Sequence, residues 1–344
     1  MTDKRIIAGL MMAATIATAL ILNIRFMFFN VFNPFAIDFK VFWRAAREPL
    51  EMLYRPHDSP FINPPTALGF LKPLAFVELE AGYIIWTGAS LALFLLAVAR
   101  STDLRIACIS LFSAAAARSF ALGQSTLMLG AAIIYAFTLP QLMSGVVLGL
   151  VASIKPQLLF LAPLAFLVRR EWRALLGMAL GGVVSAVAAT VFFGIGVWID
   201  WIAAMPAFHE TLHREHVIEH VISPAGIAEA LGYNPVFILI LSILLGAGAV
   251  AILARKVEGV FLAALVVGAS IFASPYAMTH DTIVLVPACV LCIVRNANFK
   301  ALPAIAIYCG VAFAWAAPLM AILVALTSAR GPYRGSTPKR AAVQ

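Results

Sequence analysis

The feature that most constrains this chain is a series of long apolar runs with almost no charge inside them. Residues 174–199 and 231–254 hold no charged side chain at all, and residues 79–99 hold only Glu80. A helix rises about 1.5 Å per residue, so about 20 apolar residues cross a hydrocarbon core about 30 Å thick. Several runs meet that length. Of the 344 residues, 63% are apolar and 12% charged, against about 25% charged in a soluble domain, and surface-to-volume scaling leaves a soluble fold nowhere to put the excess. The chain therefore reads as an all-α integral membrane protein. Disordered, fibrous and disulfide-rich secreted classes are excluded. Cys108, Cys289, Cys292 and Cys309 all lie in apolar runs and read as small buried hydrophobes; the CxxC spacing of Cys289 and Cys292 has no second pair to complete a metal site.

The net charge of +8 is not arranged for nucleic acid. Basic residues sit at the ends of apolar runs, as orientation signals do beside an anionic leaflet. The first run, Ile6 to Leu22 behind Lys4 and Arg5, lacks a small-residue cleavage site and reads as a retained span. Candidate spans are 5–24, 79–99, 104–121, 124–139, 142–154, 156–168, 173–197, 233–254, 258–273, 281–295 and a final stretch 300–328 that makes one or two, eleven or twelve in all. They form one membrane domain over 1–328, with a first external loop 25–78 carrying interfacial helices and a His-rich external loop 198–232. Residues 329–344 read as a disordered cytoplasmic tail. Placing Arg169, Arg170, Arg173, Arg255, Lys256, Arg295 and Lys300 inside sends the remaining polar clusters to the external face: Asp38, Gly123-Gln124-Ser125, Lys155, the His-rich loop and His280-Asp281. Polar groups gathered on one face suggest one site.

In the first loop Phe39, Phe42, Trp43 and Ala46 make an apolar stripe, with Lys40, Arg44 and Arg47 on another face. Asp38 is expected at this helix's N-cap; a carboxylate beside Lys40 and Arg44 also suits a general base next to a phosphate site. Lys155 interrupts an apolar run without an acidic neighbour, and an ammonium at a span centre costs about 2.5–3.5 kcal/mol on insertion scales, so something must compensate it. Either it snorkels to headgroups or it supplies a point charge for a phosphate. His280 and Asp281 form a polar island between spans, and Gln124 follows Gly123 at a span start, where it caps, bonds a neighbouring helix or binds a hydroxyl. His209, His213, His216 and His220 fall at i, i+4, i+7 and i+11 and share one face if helical. That is metal-ligand spacing, although Glu210, Arg214, Glu215 and Glu219 interleave as on a solvated helix lining a substrate entrance.

The order of Asp38-Phe39 and Tyr54, Asn63-Pro64-Pro65, Lys72-Pro73-Leu74-Ala75, Gly123-Gln124, Ile154-Lys155-Pro156, Arg169-Arg170-Glu171-Trp172-Arg173 and Ser274-Pro275 with His280 resembles the polyprenol-phosphate-mannose-dependent transferases of glycosyltransferase family 87. The resemblance implies a GT-C-type bundle of multiple spans. It also implies Asp38 as catalytic base, Lys155 at the donor phosphate and His280 in the catalytic site, positioning sugar or acceptor; the residues themselves add Arg44 beside the phosphate and Gln124, Tyr54, Asp281 and Lys40 as substrate-binding candidates. The implied reaction transfers a hexose, mannose foremost, from a polyprenyl-phosphate donor to a lipid or glycan acceptor on the external face of the cytoplasmic (inner) membrane. A single base without a carboxylate nucleophile points to inversion. No cofactor, metal or nucleic acid is called for, and oligomeric state is not legible. The alternative is a lipid-sugar flippase or secondary transporter, which should show inverted repeats.

Overall fold

The computed structural model of the protein describes residues 9–18, 21, 36–55, 61–214, 217–295 and 301–310. The tail 329–344, most of the final stretch 300–328, His216 and both ends of the first span lie outside the described residues. Sixteen α-helices order the described residues: α1 Gly9–Thr18, α2 Ile37–Arg47, α3 Thr66–Leu71, α4 Leu79–Ser101, α5 Leu104–Ser110, α6 Ala114–Leu122, α7 Thr126–Ala136, α8 Gln141–Ile154, α9 Ala162–Arg169, α10 Trp172–Phe193, α11 Gly196–Arg214, α12 Pro224–Ala230, α13 Val236–Leu253, α14 Gly259–Phe272, α15 Val286–Arg295 and α16 Leu302–Cys309. Among these residues the only β pairing is a single antiparallel bridge, Val221 to Met278.

The architecture is the expected all-α membrane one, but its spans are unequal. Among the described residues, α4, α10 and α13 are single apolar helices of spanning length. α5 and α6 form one broken segment bent by 63°. The remaining apolar runs yield shorter helices for a local reason. Pro156 disfavours helical geometry at Lys155, so the run 142–168 divides into α8, a 3-10 turn Pro156–Leu158 and α9.

α8 and α10 pack through glycines. A Cβ on Gly145 would strike the Ala174 carbonyl and one on Gly149 the Met178 carbonyl; a Cβ on Gly177 or Gly181 would strike the Leu142 or Val146 carbonyl of the facing helix. Two small-xxx-small stripes thus bring the backbones together inside one chain.

α14 separates two chemically different ends about 21 Å apart, the length of its 14 residues. At one end the basic groups converge: Arg169 Nη1 donates to the Ala254 and Val257 carbonyls, Arg255 Nε donates to the Val168 carbonyl, and the Arg295 guanidinium lies over the Phe261 ring. These are cluster members that the sequence placed on one side. At the other end lie Lys155, the α6–α7 junction and the segment 274–285 that links α14 to α15. α2 docks against this second end through Phe39 and Phe42, both within 6.1 Å of the Trp86 ring centroid.

Candidate functional site

Asp38 lies in the first turn of α2, and its carboxylate does not cap the helix. Ala36, in left-handed geometry, is the N-cap residue, and its backbone N–H donates to the Ala121 carbonyl at the end of α6. Asp38 instead turns across the structure: its Oδ2 accepts a 2.7 Å hydrogen bond from Gln124 Nε2. Gly123 makes this possible. It ends α6 with φ +68°, a Cβ there would collide with Phe39, and its carbonyl accepts from Trp86 Nε1 at 3.1 Å. One glycine therefore lets α2 approach and aims the next residue at Asp38. Burial raises the Asp38 pKa above the ordinary carboxylate range and Asp281 adds to the rise, while the Gln124 hydrogen bond and the Lys155 charge oppose it.

Lys155 finds its compensating charge 126 residues away. Its Nζ lies 2.5 Å from Asp281 Oδ1 and 3.4 Å from Thr126 Oγ1 at the first turn of α7. The pair is buried, with Lys155 8% and Asp281 0% exposed. Asp281 is fixed in turn, because its Oδ2 accepts from the Met278 backbone N–H at 2.9 Å. His280 Nε2 stands 3.7 Å from the same Asp281 Oδ1, and burial pushes the imidazole down to about 3, so it is neutral at physiological pH. Three sequence-expected residues from three distant stretches, Gln124, Lys155 and Asp281, thus act on Asp38, and His280 stands beside Asp281.

Two neighbours were missed. Arg118 on α6 donates from Nη1 to Thr279 Oγ1 at 2.9 Å, and its charge acts on His280. Its signal was available, since it is a lone cation in the Ala-rich run 113–122, as Lys155 is in its own. Tyr276 feels the charges of both Asp281 and Asp38, and its ring meets Phe208 of α11 edge-on at 6.1 Å. An aromatic in a loop gives no such warning.

Other candidates are placed elsewhere or serve as supports. Tyr54 Oη donates to the Asn63 carbonyl at 2.9 Å, Asn63 Nδ2 donates to the Ile154 carbonyl at 3.4 Å, and Thr66 Oγ1 bonds the Ser153 carbonyl. The Asn63-Pro64-Pro65 segment thereby caps the end of α8 just before Lys155, satisfying carbonyls that a helix terminus leaves without partners. Arg44 forms an i,i+4 pair with Glu48 at 3.4 Å, and Lys40 is exposed. The four histidines do not share one helix: among the described residues His209 and His213 lie on α11, whereas His220 lies in a 3-10 turn, Val217–His220. His209 and His213 converge instead on Glu229 of α12, at 2.9 and 2.8 Å from its Oε1. Beside α11 a small cleft is lined by Tyr54, Phe61, Met205, Phe208 and Thr211.

No curated protein and no solved structure matches the chain. The sequence profile of glycosyltransferase family 87 matches residues 61–279, most of the chain, and so takes in Gln124, Lys155 and Tyr276 while Asp38, His280 and Asp281 flank it. The chain belongs to glycosyltransferase family 87.

Proposed function

We propose that this glycosyltransferase takes a hexose, mannose foremost, from a polyprenyl-phosphate donor and gives it, with inversion, to a hydroxyl of a lipid or glycan acceptor on the outer face of the cytoplasmic membrane. The observation that carries this reading is a carboxylate, Asp38, held by Gln124 within reach of the charge of Lys155, a buried cation paired with Asp281 at one end of the bundle. Family membership favours this over a transporter that does no chemistry.

The chemistry follows from the donor. Its leaving group is a phosphate monoester, which needs positive charge more than a proton. Lys155 retains donor capacity beyond Asp281 and Thr126, Arg118 adds a second cation nearby, and the N-terminus of α7 contributes its partial positive charge. Asp38 keeps Oδ1 for the acceptor while Gln124 holds Oδ2. As the acceptor oxygen attacks the anomeric carbon, Asp38 takes its proton and the bond from that carbon to the phosphate oxygen breaks, its electron pair leaving with polyprenyl phosphate. Neutral His280, beside Asp281, is the group assigned to hydrogen-bond sugar or acceptor hydroxyls. Asp38's elevated pKa makes it a stronger base than an ordinary aspartate.

The test is transfer from a radiolabelled polyprenyl-phosphate hexose in membranes or nanodiscs. Wild type should form glycolipid or glycan, and Asp38→Asn should not. Full activity in Asp38→Asn would remove the general-base role; transfer from a nucleotide sugar alone would remove the lipid-linked donor.

A further inference from the structure

We infer that His209, His213 and Glu229 form a binding site for one divalent metal ion of the zinc class, which clips α11 to α12 beside the sugar-transfer site. The inference does not depend on the identity of donor or acceptor.

The donor set is the first support. Two imidazoles and one carboxylate suit zinc, cobalt or nickel, whereas magnesium and calcium prefer oxygen alone. The geometry is the second. His209 and His213 lie one turn apart near the end of α11 with ring centroids 5.1 Å apart, and both Nε2 atoms aim at the same carboxylate oxygen from a different helix. Their ligand atoms and that of Glu229 all lie within 4.8 Å of one another. Zinc bonds of about 2.0–2.2 Å in a tetrahedron set donor atoms about 3.3 Å apart, so side-chain rotation opening each 2.8–2.9 Å contact by about half an ångström admits the ion. His209 and His213 are more than 40% exposed, which gives the ion a path from solvent and leaves room for water as a fourth ligand.

The third support is what the clip would join. α12 is tied to the site segment: Ser223 Oγ donates to the Pro275 carbonyl at 3.1 Å, Ile222 N–H donates to the Ala277 carbonyl at 2.8 Å, and Val221 bridges Met278. α11 touches the same segment through Phe208 on Tyr276, one residue before His209. A metal joining His209 and His213 to Glu229 closes this ring of contacts and fixes the wall of the cleft. Among the described residues, His220 lies outside the cluster.

The test uses the full chain in nanodiscs, prepared with a histidine-free tag and stripped by chelator. Zinc titrated by calorimetry should bind at one equivalent in the micromolar range, and cobalt should give the intense visible bands of a tetrahedral site. His213→Ala and Glu229→Gln should each weaken binding by at least about tenfold, while His220→Ala should not. Zinc should slow amide exchange in residues 205–214 and 224–230 of wild type but not of Glu229→Gln. Binding only in the millimolar range, binding unchanged in both ligand variants, or an equal loss in His220→Ala would overturn the site and leave a hydrogen-bonded surface cluster. Glu229→Gln keeps the shape of the side chain, so loss of binding there reports the ligand rather than misfolding.

Discussion

The protein has two clusters of ionisable groups that differ chiefly in exposure. Around Lys155 and Asp281 the chain has buried opposite charges 2.5 Å apart, with Asp38 and His280 beside them. At His209, His213 and Glu229 the partners sit at similar distances, but the imidazoles face solvent. Removing one member of a buried pair strands a charge where water cannot reach it, whereas an exposed pair is rehydrated at little cost. The buried cluster is therefore bound to its geometry, and the exposed one is free to exchange a hydrogen bond for a metal.

Four changes set the two clusters apart. Asp38→Asn should reduce transfer by about 10²–10⁴-fold with thermal unfolding unchanged, since it removes the proposed general base and keeps the shape. Lys155→Met should destabilise the protein by about 3–5 kcal/mol in denaturant unfolding, because Asp281 loses its counter-charge; adding Asp281→Leu should restore stability without restoring transfer. An unfolding midpoint equal to wild type in the single variant would place the pair with the exposed class. Gln124→Leu should slow transfer on the order of tenfold at neutral pH by removing a hydrogen bond to a charged group. That bond lowers the Asp38 pKa, so its loss raises it, and the ascending limb of the pH–rate profile should move to higher pH. Wild type should itself show that limb above the range of an ordinary aspartate; a limb at the ordinary position would show Asp38 to be well solvated. Smallest of all, Glu229→Gln in the presence of chelator should shift unfolding by no more than about 1 kcal/mol.

The contrast also explains which parts of the site were legible. Lys155 was readable because an isolated ammonium in an apolar run demands a partner, yet that partner, Asp281, is 126 residues away and only packing could supply it. The histidine series had the most regular spacing, and it was the pattern that the fold divided. Periodicity puts residues on one face only while one helix lasts, and His220 lies in a 3-10 turn, Val217–His220, rather than in α11. Asp38 looked like a cap; Ala36 takes that place because the close approach of α2 to the end of α6 sets its backbone and leaves the carboxylate for Gln124. The glycines at 177 and 181 could serve contacts within a chain or between chains, and the facing stripe at 145 and 149 uses them to pack α10 on α8.

What the sequence determined by itself was the solvent and the secondary structure. Apolar runs of spanning length can be satisfied only as helices in a bilayer, and basic residues at their ends mark one side of the bundle. What tertiary structure decided was which of the few charges meet. Helices as long as α4 or as broken as α5–α6 bring distant residues to the same depth, and in a low-dielectric interior each buried charge must find a partner there or lose its charge. Local sequence records the need for such a partner, and the packing of the helices supplies it.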